Sequence, residues 1–144
     1  LGRLAAATQA STPRYRWLGA MGHAATRQRL KNWHVMVIAS RMEGGANVII
    51  EAVTSGVPVI ASDIGGNRGM LGEDYAGYFP AGDAAALARL IDRSATDPAF
   101  HSLLRQQCAA RAALFVPTAE QAALLQLVDN LLQRRNEAQA GIET

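Results

Sequence analysis

Apolar and polar positions alternate between two patterns along the chain. Val35-Met36-Val37-Ile38-Ala39 and Val57-Pro58-Val59-Ile60-Ala61 are unbroken apolar runs, as expected of strands buried on both faces of a parallel sheet. Tyr15-Arg16-Trp17-Leu18, closed by Gly19, reads as another strand, and Gly77-Tyr78-Phe79 as a short edge strand. Between them the spacing turns helical. Leu1 to Ala10 predicts a short helix stopped by Ser11, Thr12 and Pro13, and His23 to Trp33 places Ala24, Arg27, Leu30 and Lys31 at helical intervals. Asn47 to Ser55 predicts a helix with Gly56 at its end. Gly65, Gly66 and Gly69 predict a loop.

Beyond residue 80 the pattern is helical. Asp83 is placed to cap Ala84 to Ser94. Asp97-Pro98 reads as the cap and first residue of the next helix. Thr118 with Gln121 forms a capping box for a last helix, Ala119 to Arg135. The polar tail, 136–144, is expected to fray. Strands alternating with helices predict an α/β fold, a Rossmann-like doubly wound parallel sheet with a helical C-terminal segment. Such sheets usually have five or six strands and only about four are visible, while the chain opens on Leu1 rather than methionine. Residues 1–135 are therefore expected to be a partial domain whose first strands lie upstream.

Composition narrows the function. Among 144 residues, 49% are hydrophobic and 18% charged, which suits a packed core. A net charge of +2 is far from that of a dedicated nucleic-acid binder. Every charged residue up to Met42 is basic (Arg3, Arg14, Arg16, Arg27, Arg29, Lys31 and Arg41), and all 12 acidic residues follow. The single cysteine, Cys108, provides no disulfide framework and reads as core. His23, His34 and His101 show no metal-ligand spacing, and His23, which follows a strand, is expected at the surface, with facing a phosphate as the alternative. No apolar run approaches the ~18 residues needed to cross a bilayer, so a cytoplasmic protein is expected.

The chemistry concentrates in Ser40-Arg41-Met42-Glu43-Gly44-Gly45-Ala46-Asn47-Val48-Ile49-Ile50-Glu51-Ala52. This passage leaves a buried strand and opens a helix, which puts its turn at the carboxyl end of the sheet, where open α/β sheets bind ligands. Gly44 and Gly45 let the backbone approach a ligand closely. The amides of Ala46, Asn47 and Val48 would form an anion site at the helix start, suited to a phosphate or diphosphate. A tight turn without a ligand would use the same residues. If all eight steps between them were helical, Glu43 and Glu51 would lie ~12 Å apart along the axis. That exceeds the ~5–9.5 Å of hydrolytic carboxylate pairs. They read instead as two anchors for hydroxyl-bearing rings, with the diphosphate between.

The stretch EGGANVIIEAVTSGVPVIASDIGG, Glu43 to Gly66, followed by GYFPAGD, Gly77 to Asp83, resembles the C-terminal domain of two-domain (GT-B) glycosyltransferases of the family 4 type. Their signature is two glutamates separated by seven residues. The resemblance covers roughly Trp17 to Leu132. It implies that Glu43 binds the donor sugar and stabilises the transition state. Gly44, Gly45 and the amides of Ala46, Asn47 and Val48 would hold the diphosphate, Glu51 would grip the ribose, and Gly66 and Asn67 would belong to a sugar or acceptor loop. It implies a nucleotide-sugar donor, a small-molecule acceptor, no cofactor or catalytic metal, and an N-terminal acceptor domain elsewhere in the same protein.

The sequence departs from the family at Gly45, where an aromatic residue is common, at Ala46, and at Gly69, where a glutamate is frequent. The family's early basic pair for the diphosphate has no visible counterpart. SRMEGGANV, GMLGEDYAGYFPAGD and QCAARAALF resemble more narrowly a subgroup linked to selenosugar synthesis. That implies a UDP-linked hexose passed to selenophosphate, with an ordinary sugar or lipid acceptor as the alternative. The rival functions are a catalytically idle nucleotide-binding or assembly module, and a nucleotide-sugar epimerase or phosphorylase of similar fold. The isolated chain is expected to bind donor weakly and to be inactive.

Overall fold

A computed structural model describes residues 2–44 and 46–140; Leu1, Gly45 and residues 141–144 lie outside the described residues. The order is α1 (Gly2–Ser11), α2 (His23–Leu30), β1 (Met36–Ile38), α3 (Asn47–Thr54), β2 (Val59–Asp63), α4 (Gly65–Leu71), β3 (Tyr78–Pro80), α5 (Ala84–Thr96) and α6 (Pro98–Ala112). A 3-10 turn at Ala113–Phe115 leads into α7 (Pro117–Ala140). The strands form a parallel sheet in the order β1-β2-β3, with Met36 opposite Val59 and Ala61 opposite Tyr78. This is the Rossmann-like α/β fragment with a helical C-terminal segment that the pattern predicts.

Burial explains the order. β2 is central and takes no exposed position, with Val59, Ile60 and Ala61 fully buried. Ile49 and Val53 of α3, and Phe100, Leu104 and Cys108 of α6, join the same core. Each large aliphatic side chain so enclosed contributes about 1.5–3 kcal/mol relative to exposure. β1 is buried at Met36 and Ile38, but Val37 is 41% exposed. The expectation that β1 is covered on both faces is thus corrected: β1 is an edge strand among the described residues.

Other expectations also change. Tyr15 to Leu18 forms no strand; the Trp17 amide donates instead to Gln9 Oε1 at 2.7 Å. β2 begins after Pro58, which has no N–H to donate but whose carbonyl accepts from the Met36 amide of β1 at 2.9 Å. Gly65, Gly66 and Gly69 belong to a helix rather than a loop. α7 starts at Pro117, which places Thr118 inside its first turn instead of at the cap, and continues to Ala140 through the start of the expected tail.

The two aspartate caps form as predicted. Asp83 accepts from the Ala86 amide at 2.8 Å. Asp97 accepts from the Ala99 and Phe100 amides, both at 3.0 Å. The Phe100 amide above all, with help from Arg93 and Ala99, holds the Asp97 carboxyl below its ordinary value of 3.8. A depressed carboxyl stabilises the fold fully above its unfolded value, and that contribution is lost as pH falls through the folded value. The urea midpoint is therefore expected to drop on acidification below about pH 4, with part of the drop absent in Asp97→Asn.

Candidate functional site

Two strand-to-helix connections leave the carboxyl end of the sheet. The chain leaves β1 through Ser40 and Glu43 into α3, and leaves β2 directly into α4. The start of α2 lies beside α3, because His23 Nε2–H donates to Glu51 Oε1 at 2.5 Å. Glu51, one turn into α3, is largely covered (its side chain is 19% exposed), whereas His23 is 71% exposed. His23 is at the surface, as expected, but it also engages the second glutamate. Histidine spacing alone carries no signal of this contact, which depends on how α2 packs.

Glu43 lies in the loop ahead of α3. Ser40 Oγ donates to its Oε1 at 2.8 Å. Ala46, the N-cap residue of α3, is extended and buried, and no side chain caps this helix. In the first turn the Ile49 amide donates to the Ala46 carbonyl at 2.8 Å, while the earlier N–H groups have no intrahelical acceptor, and Asn47 and Val48 are exposed. A backbone anion site of the expected kind is therefore available here. Gly44 is exposed in the same loop; Gly45, expected to hold the diphosphate, lies outside the described residues.

Gly66 and Asn67 serve the loop from behind. A Cβ on Gly66 would lie 2.0 Å from the Glu43 carbonyl oxygen and 2.7 Å from its carbon, so α4 and the Glu43 loop are in backbone contact there. Asn67 is fully buried. Its Nδ2 donates to the Ser62 carbonyl at 2.8 Å and to Ser62 Oγ at 3.1 Å, and Ser62 Oγ donates to the Ser40 carbonyl at 2.6 Å. Sequence reading missed Ser40 and Ser62; the available signal was Ser40's place three residues before Glu43.

Arg68 is committed elsewhere. It donates to both Asp63 oxygens at 2.5 and 2.9 Å and to Glu73 at 2.5 Å. The Arg68 hydrogen bonds in turn hold the Asp63 carboxyl below its usual range. A cavity of about 510 Å³ between His34, Val35, Ile91, Pro98 and His101 lies at the amino end of β1, away from Glu43 and Glu51. Among the described residues no group of three or more His, Cys, Asp or Glu side chains is placed to hold a metal ion, and no helix is long and apolar enough to cross a membrane.

Comparison with known proteins gives the geometry a context. The fold is similar to that of sucrose-phosphate synthase from Thermosynechococcus elongatus, with a TM-score of 0.75 and 31% identity. That match covers 92% of this chain and 34% of the other. Protein CapJ of Staphylococcus aureus is 36% identical over 45% of this chain and 17% of its own length. The chain thus spans about a third or less of either relative. The model for "Glycosyl transferases group 1" matches residues 5–115, a span that takes in Glu43, Glu51 and every element from β1 to the 3-10 turn. The chain belongs to the group 1 glycosyl transferases.

Proposed function

We propose that this chain is the donor-binding part of a hexosyltransferase that uses a nucleotide sugar, specifically a UDP-linked hexose. The N–H groups of Ala46, Asn47 and Val48 at the start of α3 receive the diphosphate, with Gly44 and Gly45 shaping the approach. Glu43 takes the sugar hydroxyls and stabilises the developing charge at the reacting carbon. Glu51 takes the ribose hydroxyls through Oε2, since Oε1 already accepts from His23. The acceptor is selenophosphate, delivered by a part of the protein outside this chain; these 144 residues alone bind donor and do not turn it over. The observation that carries the reading is the uncapped start of α3 with Glu43 just before it and Glu51 one turn inside.

The physical logic is division of charge. A leaving diphosphate gains negative charge in the transition state, and fixed amide dipoles stabilise it without rearranging. The reading requires no metal for this task and no resident cofactor. Glu43 carries the opposite duty, because a carboxylate favours positive charge growing on the sugar ring.

Calorimetric titration of the chain with UDP-glucose, UDP and glucose tests this reading. UDP-glucose is expected to bind most tightly, UDP more weakly and glucose not measurably, with no hydrolysis over hours. Equal indifference to all three would leave an idle module as the correct description. Interconversion of the sugar without an acceptor would point to an epimerase.

A further inference from the structure

We propose that Asn67, Ser62 and Ser40 are positioning residues that hold the Glu43 carboxylate for the donor sugar; the inference rests on the donor-site reading above. The hydrogens of the relay can run in one direction only. Asn67 Nδ2 donates to the Ser62 carbonyl and to Ser62 Oγ. The Ser62 hydroxyl, having accepted, spends its own hydrogen on the Ser40 carbonyl. The Ser40 hydroxyl spends its hydrogen on Glu43 Oε1. The far end of the relay thus fixes the Ser40 backbone, and the near end fixes one carboxylate oxygen. Glu43 Oε2 makes no hydrogen bond to a described residue and is left for a ligand.

The burial of the relay supports this role over a stabilising one. Ser62 and Asn67 are both fully buried, yet Asn67 Oδ1 finds no donor among the described residues. An apolar side chain would suit such a place better for stability, because a partly satisfied buried amide is costly. What the amide supplies is direction: two donors aimed at the end of β2, where it borders the Glu43 loop. α4, which carries Asn67, is itself held. Tyr78 Oη shares its one hydrogen between the Gly72 carbonyl at 2.9 Å and the Asn67 carbonyl at 3.1 Å, and Arg111 donates to the Met70 and Gly69 carbonyls, both at 2.9 Å.

The test has two arms on the whole chain with Ser40→Ala, Ser62→Ala, Asn67→Ala and Ser40→Thr. In the first, side-chain scalar couplings of Glu43 are measured without ligand. A single rotamer is expected in the wild type and in Ser40→Thr, with averaging in the three alanine variants. In the second, the affinity ratio of UDP-glucose to UDP is measured. The ratio is expected to fall about tenfold in the alanine variants, the loss typical of one hydrogen bond to a charged group, while UDP affinity stays within about twofold and Ser40→Thr keeps the wild-type ratio. A purely structural role would weaken both ligands together and overturn the proposal, as would a Glu43 rotamer indifferent to every alanine variant. Should Ser62→Ala fail to fold, Ser40→Ala carries the test from the half-buried loop. Relay-dependent couplings with a wild-type ratio of one would instead overturn the donor reading, leaving the relay as a holder of Glu43 alone.

Discussion

Gly66→Ala is expected to weaken UDP-glucose binding about 5- to 150-fold, the equivalent of the 1–3 kcal/mol typical of overpacking. The new methyl carbon would meet the Glu43 carbonyl oxygen at 2.0 Å and its carbon at 2.7 Å. Backbone faces backbone, so no rotamer relieves the contact. Either α4 moves outward, pulling Asn67 from Ser62, or the Glu43 loop moves and carries Ala46 away from the start of α3. Gly65→Ala is the control: a Cβ there meets nothing within 4 Å, and binding should stay within about twofold. Titration of both variants, with thermal melts for folding, decides the matter. Wild-type affinity in Gly66→Ala would mean that the loop and α4 are not coupled.

Tyr75→Phe is expected to cost about 2–6 kcal/mol of stability, read as a lower urea midpoint at unchanged slope. β3 is too short to pair with the start of β2. Its ladder ends where the Ala61 amide donates to the Gly77 carbonyl at 3.0 Å. The Tyr75 hydroxyl continues it by donating to the Val59 carbonyl and accepting from the Val59 amide at 3.2 Å. Phenylalanine keeps the ring and leaves both backbone groups buried and unpaired, each at a cost of about 1–3 kcal/mol. Burial first, and then the neighbouring Cys108, push the phenol well above its ordinary value of 10, so it stays a donor through mildly alkaline pH. A midpoint unmoved by the substitution would show that water reaches Val59 in the folded chain.

What was legible in the sequence follows from what kind of force decided each element. The runs around Met36 and Val59, and the caps at Asp83 and Asp97, depend on local pattern and local hydrogen bonds, and they form where the pattern puts them, β2 starting two residues late. The helix at Gly65–Leu71 does not. Three glycines cost it about 1 kcal/mol each against alanine, and distant groups, Tyr78 and Arg111, hold its carbonyls. Tyr15 to Leu18 has strand composition, but a strand also needs a neighbour to pair with, and among the described residues the Trp17 amide goes to a glutamine instead. At the site, the Glu43 to Glu51 passage stood out because its chemistry is contiguous in sequence. Ser62 and His23 did not, since their contacts span 22 and 28 residues. Asn67 was visible as a loop residue, and only its fold context shows the side chain turned inward onto Ser62.

On the proposed reading, the donor diphosphate sits at the start of α3. Amide chemical-shift mapping of the chain on addition of UDP-glucose measures this directly. The largest shifts are expected at Ala46, Asn47 and Val48, accompanied by the side-chain carboxylates of Glu43 and Glu51. Unmoved amides at those three positions, with the shifts gathered instead in the basic groove of about 370 Å³ between Lys31, His34, His101 and Arg105, would contradict it.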